Sequence, residues 1–198
     1  MKTIYLIRHG ETEFNKLKLI QGSGVDSSLN ETGLSQAEAF FEKHYHVKFD
    51  KVYTSKLKRT HESVQKFLLN GVAWEQHAGL NEISWGHKEG RAATTEENAE
   101  YYETLKLWRA GQTHLAMEGG ESPAQVLARQ IPVVETIMSR PEEENILVCM
   151  HGRAIRILLC HLLNYDLRYM DMFEHRNLCL YKLRHTGTMF SAEFANHI

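Results

Sequence analysis

Short apolar runs that alternate with helix-like segments are the feature that most constrains how this chain can fold. The strand-like runs have four to eight residues and are rich in β-branched and aromatic side chains: "TIYLI" (3–7), "KVYTS" (51–55) and "NILVCM" (145–150). The helix-like segments that follow them are "LSQAEAFFEKHY" (34–45), "KLKRTHESVQKFLL" (56–69) and "RAIRILLCHLLN" (153–164). This alternation predicts an α/β fold, a three-layer sandwich in which a mostly parallel sheet has helices on both faces.

Three weaker elements complete the prediction. "VAWEQH" (72–77) follows Gly71 as a further strand, and "NETG" (30–33) is typical of a turn before a helix. A long helix is predicted to run to about Arg140, with Ser122 as its N-cap and Pro123 at its first position. "LCLYKLR" and "TMFSAEF", separated by "HTG", predict a C-terminal hairpin.

The segment from about residue 80 to 120 breaks the pattern. It is polar, carries Trp85 and Trp108, and contains one predicted helix at about 95–110. Because it is too short to bury a core of its own, we expect a lid-like insertion over the active site rather than a second domain. Residues 1–198 are therefore predicted to form one domain.

Composition limits the kind of partner and the compartment. The net charge of −2 does not favour a nucleic-acid or anionic-membrane binder. The three cysteines lie in apolar runs without a CxxC motif, which favours buried thiols in a reducing compartment. No signal peptide precedes the first strand, and "IRILLCHLL" is too short to span a bilayer. We therefore expect a cytoplasmic protein that binds neither nucleic acid nor membrane.

Two histidine-glycine pairs carry the functional signal. His9-Gly10 ends the first predicted strand, and His151-Gly152 ends the strand 145–150. The carboxyl ends of parallel strands lie at one edge of a sheet, where ligands bind, so the two pairs are expected to meet. Glycine after each histidine, including Gly152, lets the backbone approach a ligand closely.

Basic groups are expected at the same edge. Arg8 precedes His9, and Arg59 lies in the first turn of the helix after the strand 51–55. The helix after Gly152 points its free N–H groups to this edge. Together with His151 they predict a cradle for a tetrahedral dianion, since arginine forks suit phosphate oxygens.

Other motifs have less support. "GSGVDS" (22–27) lacks the third glycine of a dinucleotide fingerprint, and no GxxxxGK[ST] occurs. No HExxH or CxxC offers a metal site, so no metal or cofactor is predicted.

Five stretches, in order along nearly the whole chain, resemble the histidine phosphatase superfamily in its phosphoglycerate-mutase-like branch. They are "LIRHGETEFN", "SKLKRT", "LNEISWGHKEG", "GGES" and "MHGRAIRILLCHLL". The stretch 20–37 is more similar to the phosphatases of that branch than to its mutases. Phe14 and Arg153 depart from the usual pattern, which leaves the substrate rim open.

The resemblance implies a phosphohistidine mechanism without metal. By resemblance, His9 is the nucleophile, Glu82 is the proton donor, and the phosphate is held by Arg8, Arg59 and His151, with Asn15 and Gln21 as secondary ligands. Neighbouring arginines depress the pKa of His9 and keep its imidazole neutral. Glu82 can donate a proton only when protonated, which a phosphate dianion favours. Glu11 is the rival carboxylate, and capping or turn formation explains it.

The predicted function is hydrolysis of small phosphorylated metabolites by a metal-independent phosphomonoesterase. A phosphoglycerate-type mutase, a phosphate-recognising regulatory module and a protein phosphatase are the alternatives. Leaving-group contacts are expected from the insertion: Trp85, His87, Arg91, and Tyr101 or Tyr102. The resemblance also allows a homodimer, for which the sequence offers no distinct interface.

Overall fold

Six strands form one mixed sheet in the computed structural model, which describes residues 1–197. The strands are β1 (Thr3–Arg8), β2 (Lys51–Thr54), β3 (Trp74–Gln76), β4 (Asn145–Met150), β5 (Leu180–His185) and β6 (Phe190–His197). Their order across the sheet is β3-β2-β4-β1-β5-β6. The first four strands are parallel, β5 is antiparallel to β1, and β6 is antiparallel to β5. The predicted α/β class, the mostly parallel sheet and the C-terminal strand pair are confirmed.

Within residues 1–197, six α-helices connect or flank these strands. They are α1 (Glu13–Lys16), α2 (Glu31–His44), α3 (Lys58–Leu69), α4 (Thr95–Arg109), α5 (Pro123–Met138) and α6 (Gly152–Leu162). Short 3-10 turns occur at Ala78–Leu80, Gly86–Lys88 and Leu167–Met172.

Alternation along the central strands divides the core into two layers. In β1, Ile4 and Leu6 pack with buried residues of α5 and α6, whereas Tyr5 and Ile7 pack with Phe40 of α2 and with buried side chains of α3. Successive strand residues point to opposite faces, so a continuous apolar run requires cover on both sides. The helices supply that cover, which gives the predicted three layers.

Helix starts are where the structure differs most from the predicted boundaries. The predicted turn 30–33 is the first turn of α2, because the Asn30 side chain accepts the N–H of Gly33 at 2.9 Å as an N-cap. Helix α3 starts at Lys58, since Leu57 is extended and its N–H binds the Ser55 hydroxyl. At α5 the predicted start is confirmed: Ser122 forms a capping box, and proline follows it.

The segment 80–120 packs onto the main core. Trp85, Leu105, Trp108 and Met117 are buried in the same apolar cluster as Ile4 and Leu6 of the sheet. The buried side chains of this segment therefore anchor it to the main core. The action of the segment as a lid stays a prediction. No helix in the described part of the chain is long and apolar enough to cross a membrane.

Candidate active site

The two histidine-glycine pairs meet at the sheet edge, as the sequence predicts. Arg8 is paired with Met150 in the parallel register of β1 and β4, so His9 and His151 follow side by side. Their ring centroids are 5.2 Å apart, and both side chains are buried. The neighbouring strands thus place two imidazoles at one point.

The ring of His9 is held in one tautomer. Its Nδ1 lies 2.7 Å from the carbonyl oxygen of Gly10, so Nδ1 carries the proton and donates it there. Nε2 is then left with an unshared electron pair. Burial, followed by the charges of Arg59 and Arg8, lowers the pKa of His9 well below its ordinary value of 6.5. The imidazole is neutral and can act as a nucleophile.

His151 is held from both sides. Its Nδ1 accepts the Nε–H of Arg59 at 3.2 Å, and its Nε2 lies 2.8 Å from the Ser55 hydroxyl. Because Nδ1 accepts, the proton is on Nε2, which donates to Ser55. Burial, then the charge of Arg59, lowers the pKa of His151 well below 6.5.

The two arginines that are predicted to bind phosphate differ in how many of their N–H groups are already hydrogen-bonded. Arg59 is fully buried, and its terminal nitrogens donate to the carbonyls of Gly22 and Val25 at 3.1 and 2.6 Å. Burial lowers the pKa of Arg59 to about 10. Arg8 donates one terminal N–H to the His175 carbonyl at 2.8 Å, while its buried Nε has no partner among the described residues. A buried, incompletely bonded guanidinium favours an anion beside it.

A cavity of about 360 Å³ lies at this edge. It is lined by the predicted residues Arg8, Asn15, Gln21, Glu82 and Gly152, together with Lys18, Leu19, Ile20, Trp85, Tyr101, Arg153, His175 and Asn177. His9, Arg59 and His151 are not among the lining residues. The backbone carbonyl of His9 accepts a hydrogen bond from the cavity-lining Asn177, and the side chains of Arg59 and His151 are bonded to each other. Within the described residues, no group of three or more histidine, cysteine, aspartate or glutamate side chains is arranged to hold a metal ion.

Glu82 lies at the N-terminus of α6. Its Oε2 accepts the N–H of Arg153 at 3.1 Å, and its Oε1 accepts those of Ala154 and Ile83, both at 2.9 Å. A carboxylate is favourable at this end of a helix because of the exposed N–H groups and the helix dipole. The expectation that these N–H groups are free for phosphate was wrong: two of them bind Glu82. The arrangement places a buried carboxylate at the cavity wall.

Gly152 is required by close packing. A Cβ atom there would lie 2.5 Å from the imidazole of His175 and 3.5 Å from Nε of Arg8. The glycine therefore keeps α6 near the unbonded Nε of Arg8.

Asn15 and Gln21 both line the cavity but differ in which of their side-chain hydrogen-bonding atoms are already used. The Oδ1 atom of Asn15 accepts from the Thr12 N–H at 3.2 Å and from the side chain of Asn177 at 3.3 Å, which leaves its Nδ2 as a donor for an anion. The amide of Gln21 accepts from the Thr12 hydroxyl at 2.8 Å and donates to the Ser27 hydroxyl. Gln21 therefore stabilises the loop around it by bonding the side chains of Thr12 and Ser27.

Two site residues were missed from the sequence, Asn177 and His175. Asn177 donates to the backbone carbonyl of His9 at 3.0 Å and so holds the backbone of that residue in place. Burial, and then the charges of Arg156, Arg8 and Arg153, lower the pKa of His175 to about 3. Both residues precede β5, and no motif marks them. Only the pairing of β5 with β1 brings them to the site.

The residues predicted to contact the leaving group differ in whether they line the cavity. Trp85 and Tyr101 line the cavity. Arg91 pairs with Glu97 and lines a neighbouring cavity instead, and Tyr102 is exposed. His87 is not among the lining residues. The Glu11 carboxylate accepts from the N-cap residue Asn30 at 2.8 Å, in keeping with the predicted turn role.

Comparison with known proteins identifies the class. Residues 4–197 match the histidine phosphatase superfamily (branch 1). The chain therefore belongs to this superfamily.

Curated relatives at 35–36% identity carry the same kind of domain within longer chains. The chain is 35% identical over 177 residues, 87% of its length, to 6-phosphofructo-2-kinase/fructose-2,6-bisphosphatase 3 from Rattus norvegicus. It is 36% identical over 166 residues, 82% of its length, to isoform 1 from Mus musculus. It spans only 30% and 33% of these two proteins.

Solved structures show the same fold over the full chain. Bacillus stearothermophilus YhfR superposes with a TM-score of 0.86 at 26% identity, covering 100% of this chain and 98% of that one. The mycobacterial glucosyl-3-phosphoglycerate phosphatase Rv2419c, solved with VO3, gives 0.86 at 24% identity and full coverage of both chains. A putative α-ribazole-5'-P phosphatase from Escherichia coli gives 0.87 at 24% identity, with 99% and 96% coverage.

Proposed function

We propose that this protein hydrolyses phosphomonoesters of small metabolites through a covalent phosphohistidine, without a metal ion. The observation that carries the proposal is the state of His9: it is neutral, its Nδ1 is fixed on the Gly10 carbonyl, and the charges of Arg59 and of the cavity-lining Arg8 act on it. Phosphoryl transfer depends on positioning and charge stabilisation, which this arrangement supplies.

In the first step, Nε2 of His9 attacks phosphorus and forms a P–N bond while the P–O bond to the leaving group breaks. Arg8 and Arg59 stabilise the negative charge on the equatorial oxygens. Asn15 donates from its Nδ2, and Asn177 keeps the backbone of His9 in place. The departing alkoxide takes a proton from Glu82 and leaves as the alcohol.

In the second step, a water molecule attacks the phosphohistidine. Glu82, now a carboxylate, takes the proton of this water, the P–N bond breaks, and inorganic phosphate leaves. The three backbone N–H groups that bind Glu82 hold its carboxyl group at the cavity wall, where one side chain serves as acid in the first step and as base in the second.

Cavity size and the names of the relatives support the proposed substrate class. A volume of about 360 Å³ is at the small end for ligand pockets and suits a phosphorylated metabolite rather than a folded protein. The relatives are named for small phosphate esters, among them fructose 2,6-bisphosphate and glucosyl-3-phosphoglycerate.

The test is phosphate release from a panel of phosphomonoesters in the presence of EDTA, with the wild type and His9→Ala compared. The exposed His161 provides a matched control, His161→Ala. We expect turnover by the wild type and the control, and loss of at least about 10³-fold in His9→Ala. An alkaline quench during turnover should trap phosphohistidine in the wild type only.

Other results of this experiment would assign a different function or refute the proposed mechanism. Isomerisation without net phosphate release, dependent on a bisphosphate primer, would assign a mutase. Phosphate binding without turnover by the wild type would assign a regulatory module. Activity that EDTA abolishes, or that survives in His9→Ala, would refute the metal-free phosphohistidine route.

A further inference from the structure

We propose that Arg153 forms a second anion subsite, which selects substrates whose leaving group carries a carboxylate or a second phosphate. The inference rests on the proposed function and deepens it. It concerns a part of the cavity wall that the two transfer steps do not use.

The first observation is an unbalanced charge cluster. A single carboxylate, Asp171, binds three guanidiniums: Arg109 at 2.9 Å, Arg153 at 2.5 Å and Arg156 at 3.0 Å. The side chain of Arg109 is 59% exposed and water solvates it, but those of Arg153 and Arg156 are only 7% and 14% exposed. Two poorly solvated cations therefore share one anion.

The second observation is an unmet hydrogen-bond donor in the same cluster. The buried Nε of Arg156 has no partner among the described residues. Buried charges in proteins are ordinarily paired, and unpaired buried donors are costly. The cluster keeps an excess of positive charge that an incoming anion would neutralise.

The third observation is that Arg153 lines the cavity and that its guanidinium is held by several contacts. Its guanidinium carbon lies 5.9 Å from the ring centre of Trp85 and 5.6 Å from that of Trp108, within range for cation–π contact. Trp85 and Arg153 both line the cavity. The aromatic rings and Asp171 thus restrict the guanidinium before any ligand binds, which lowers the entropic cost of binding.

The charges around the cavity agree with a substrate that has two anionic groups. Its described lining includes three cations, Arg8, Lys18 and Arg153, against one carboxylate, Glu82. Arg8 and the buried Arg59 suffice for the transferred phosphoryl group. Arg153 follows directly after Gly152, and the anion that it binds belongs to the leaving group. A planar guanidinium fork suits carboxylate and phosphate oxygens alike.

The experiment compares substrates that differ in this second group. Glycerol 1-phosphate is set against 3-phosphoglycerate, and fructose 6-phosphate against fructose 1,6-bisphosphate. The quantity measured is the ratio of kcat/KM for the doubly anionic substrate to that for the singly anionic one. We expect the wild type to favour at least one doubly anionic substrate about tenfold or more, and the favoured pair identifies carboxylate or phosphate.

The variants are Arg153→Gln, Arg153→Lys and, as the matched control, Arg109→Gln. Arg109 binds the same Asp171 from the surface, so its variant should keep the wild-type ratio. In Arg153→Gln, Asp171 still pairs with Arg156, and thermal unfolding checks that the fold is intact. We expect Arg153→Gln to lower the ratio about tenfold, chiefly through KM, and Arg153→Lys to restore part of it.

A wild-type ratio near one, or an unchanged ratio in a folded Arg153→Gln, would overturn the subsite. If the wild type turns over no ester, the proposed function fails, and calorimetric titration of the wild type and Arg153→Gln with 3-phosphoglycerate and glycerol 1-phosphate decides the subsite separately. Equal affinities of the two proteins for both compounds would then refute it. Weaker binding of 3-phosphoglycerate alone in Arg153→Gln would support it.

Discussion

Substitution of Glu82 by glutamine separates the chemical role of this residue from its structural one. The carboxylate is buried and accepts three backbone N–H groups, two of them from the first turn of α6. Glutamine has nearly the same shape but no negative charge, cannot serve as the acid, and presents an NH₂ group at one of the two oxygen positions.

The change in the free energy of unfolding follows from these hydrogen bonds. If the amide oxygen of the glutamine stays with Ala154 and Ile83, its NH₂ faces the N–H of Arg153, donor against donor. One charge-assisted bond, worth about 1.5–3 kcal/mol, is lost, and the two others become neutral and weaker. We expect Glu82→Gln to lower the free energy of unfolding by about 2–3 kcal/mol. Urea denaturation with an unchanged m-value would measure this.

The catalytic cost depends on the leaving group. An alkyl phosphate needs a proton on its alkoxide, so kcat should fall about 10²–10⁴-fold. p-Nitrophenolate leaves without a proton, so p-nitrophenyl phosphate should still give a rapid burst of nitrophenol followed by slow turnover. The burst reports formation of phosphohistidine, and the slow phase reports the missing base.

Glu11→Gln is the matched control. Glu11 is the carboxylate nearest to His9 in sequence, but it binds Asn30 and does not line the cavity, so activity should stay within about threefold of wild type. Alkyl phosphate hydrolysis that persists in Glu82→Gln, or an equal loss in Glu11→Gln, would refute the assignment of Glu82.

Three further results are expected. Asn177→Ala should lower kcat about 10–100-fold with little change in KM, because it removes the donor to the His9 carbonyl and lets the nucleophile shift; steady-state kinetics decide this. The folded-state pKa of His175 is about 3, below its ordinary value of 6.5, so between these pH values the unfolded chain binds a proton that the folded protein does not. The stability contribution of His175 is therefore complete above pH 6.5. It is lost as the pH falls towards 3, by at most ~1.4 kcal/mol per pH unit. Unfolding of His175→Gln should therefore depend less on pH across that window than unfolding of the wild type, and equal slopes would contradict the pKa. Glu89→Ala should destabilise the protein by about 2 kcal/mol, since the Glu89 carboxylate accepts the N–H groups of Gly24 at 2.8 Å and Trp85 at 2.7 Å and joins their loops; calorimetry measures the loss.

The elements predicted best were those with the strongest local pattern. The run 145–150 coincides with β4, and the boundaries of α4 and the N-cap of α5 were close to those observed. A buried strand needs apolar residues at every position, and a capped helix start needs particular side chains, so both leave a mark in sequence. The strand β3, predicted over 72–77, is limited to Trp74–Gln76, because an edge strand is held by one neighbour only.

The chemistry at the ends of β1 and β4 can be read from local sequence: two histidines, Arg8 and a glycine after each histidine. Strand direction alone predicts their meeting, because parallel strands end at the same edge. These residues are local in sequence, and their patterns are readable there.

The other half of the site depends on contacts that form only when the chain packs. Asn177 and His175 arrive because β5 pairs with β1, and Glu82 takes the N–H groups of α6 from a distant loop. The balance between Asp171 and its arginines likewise depends on α4, α6 and the turn after α6 packing together. Such contacts join residues far apart along the chain, and their hydrogen bonds and charges have no local pattern until packing brings them within a few ångströms.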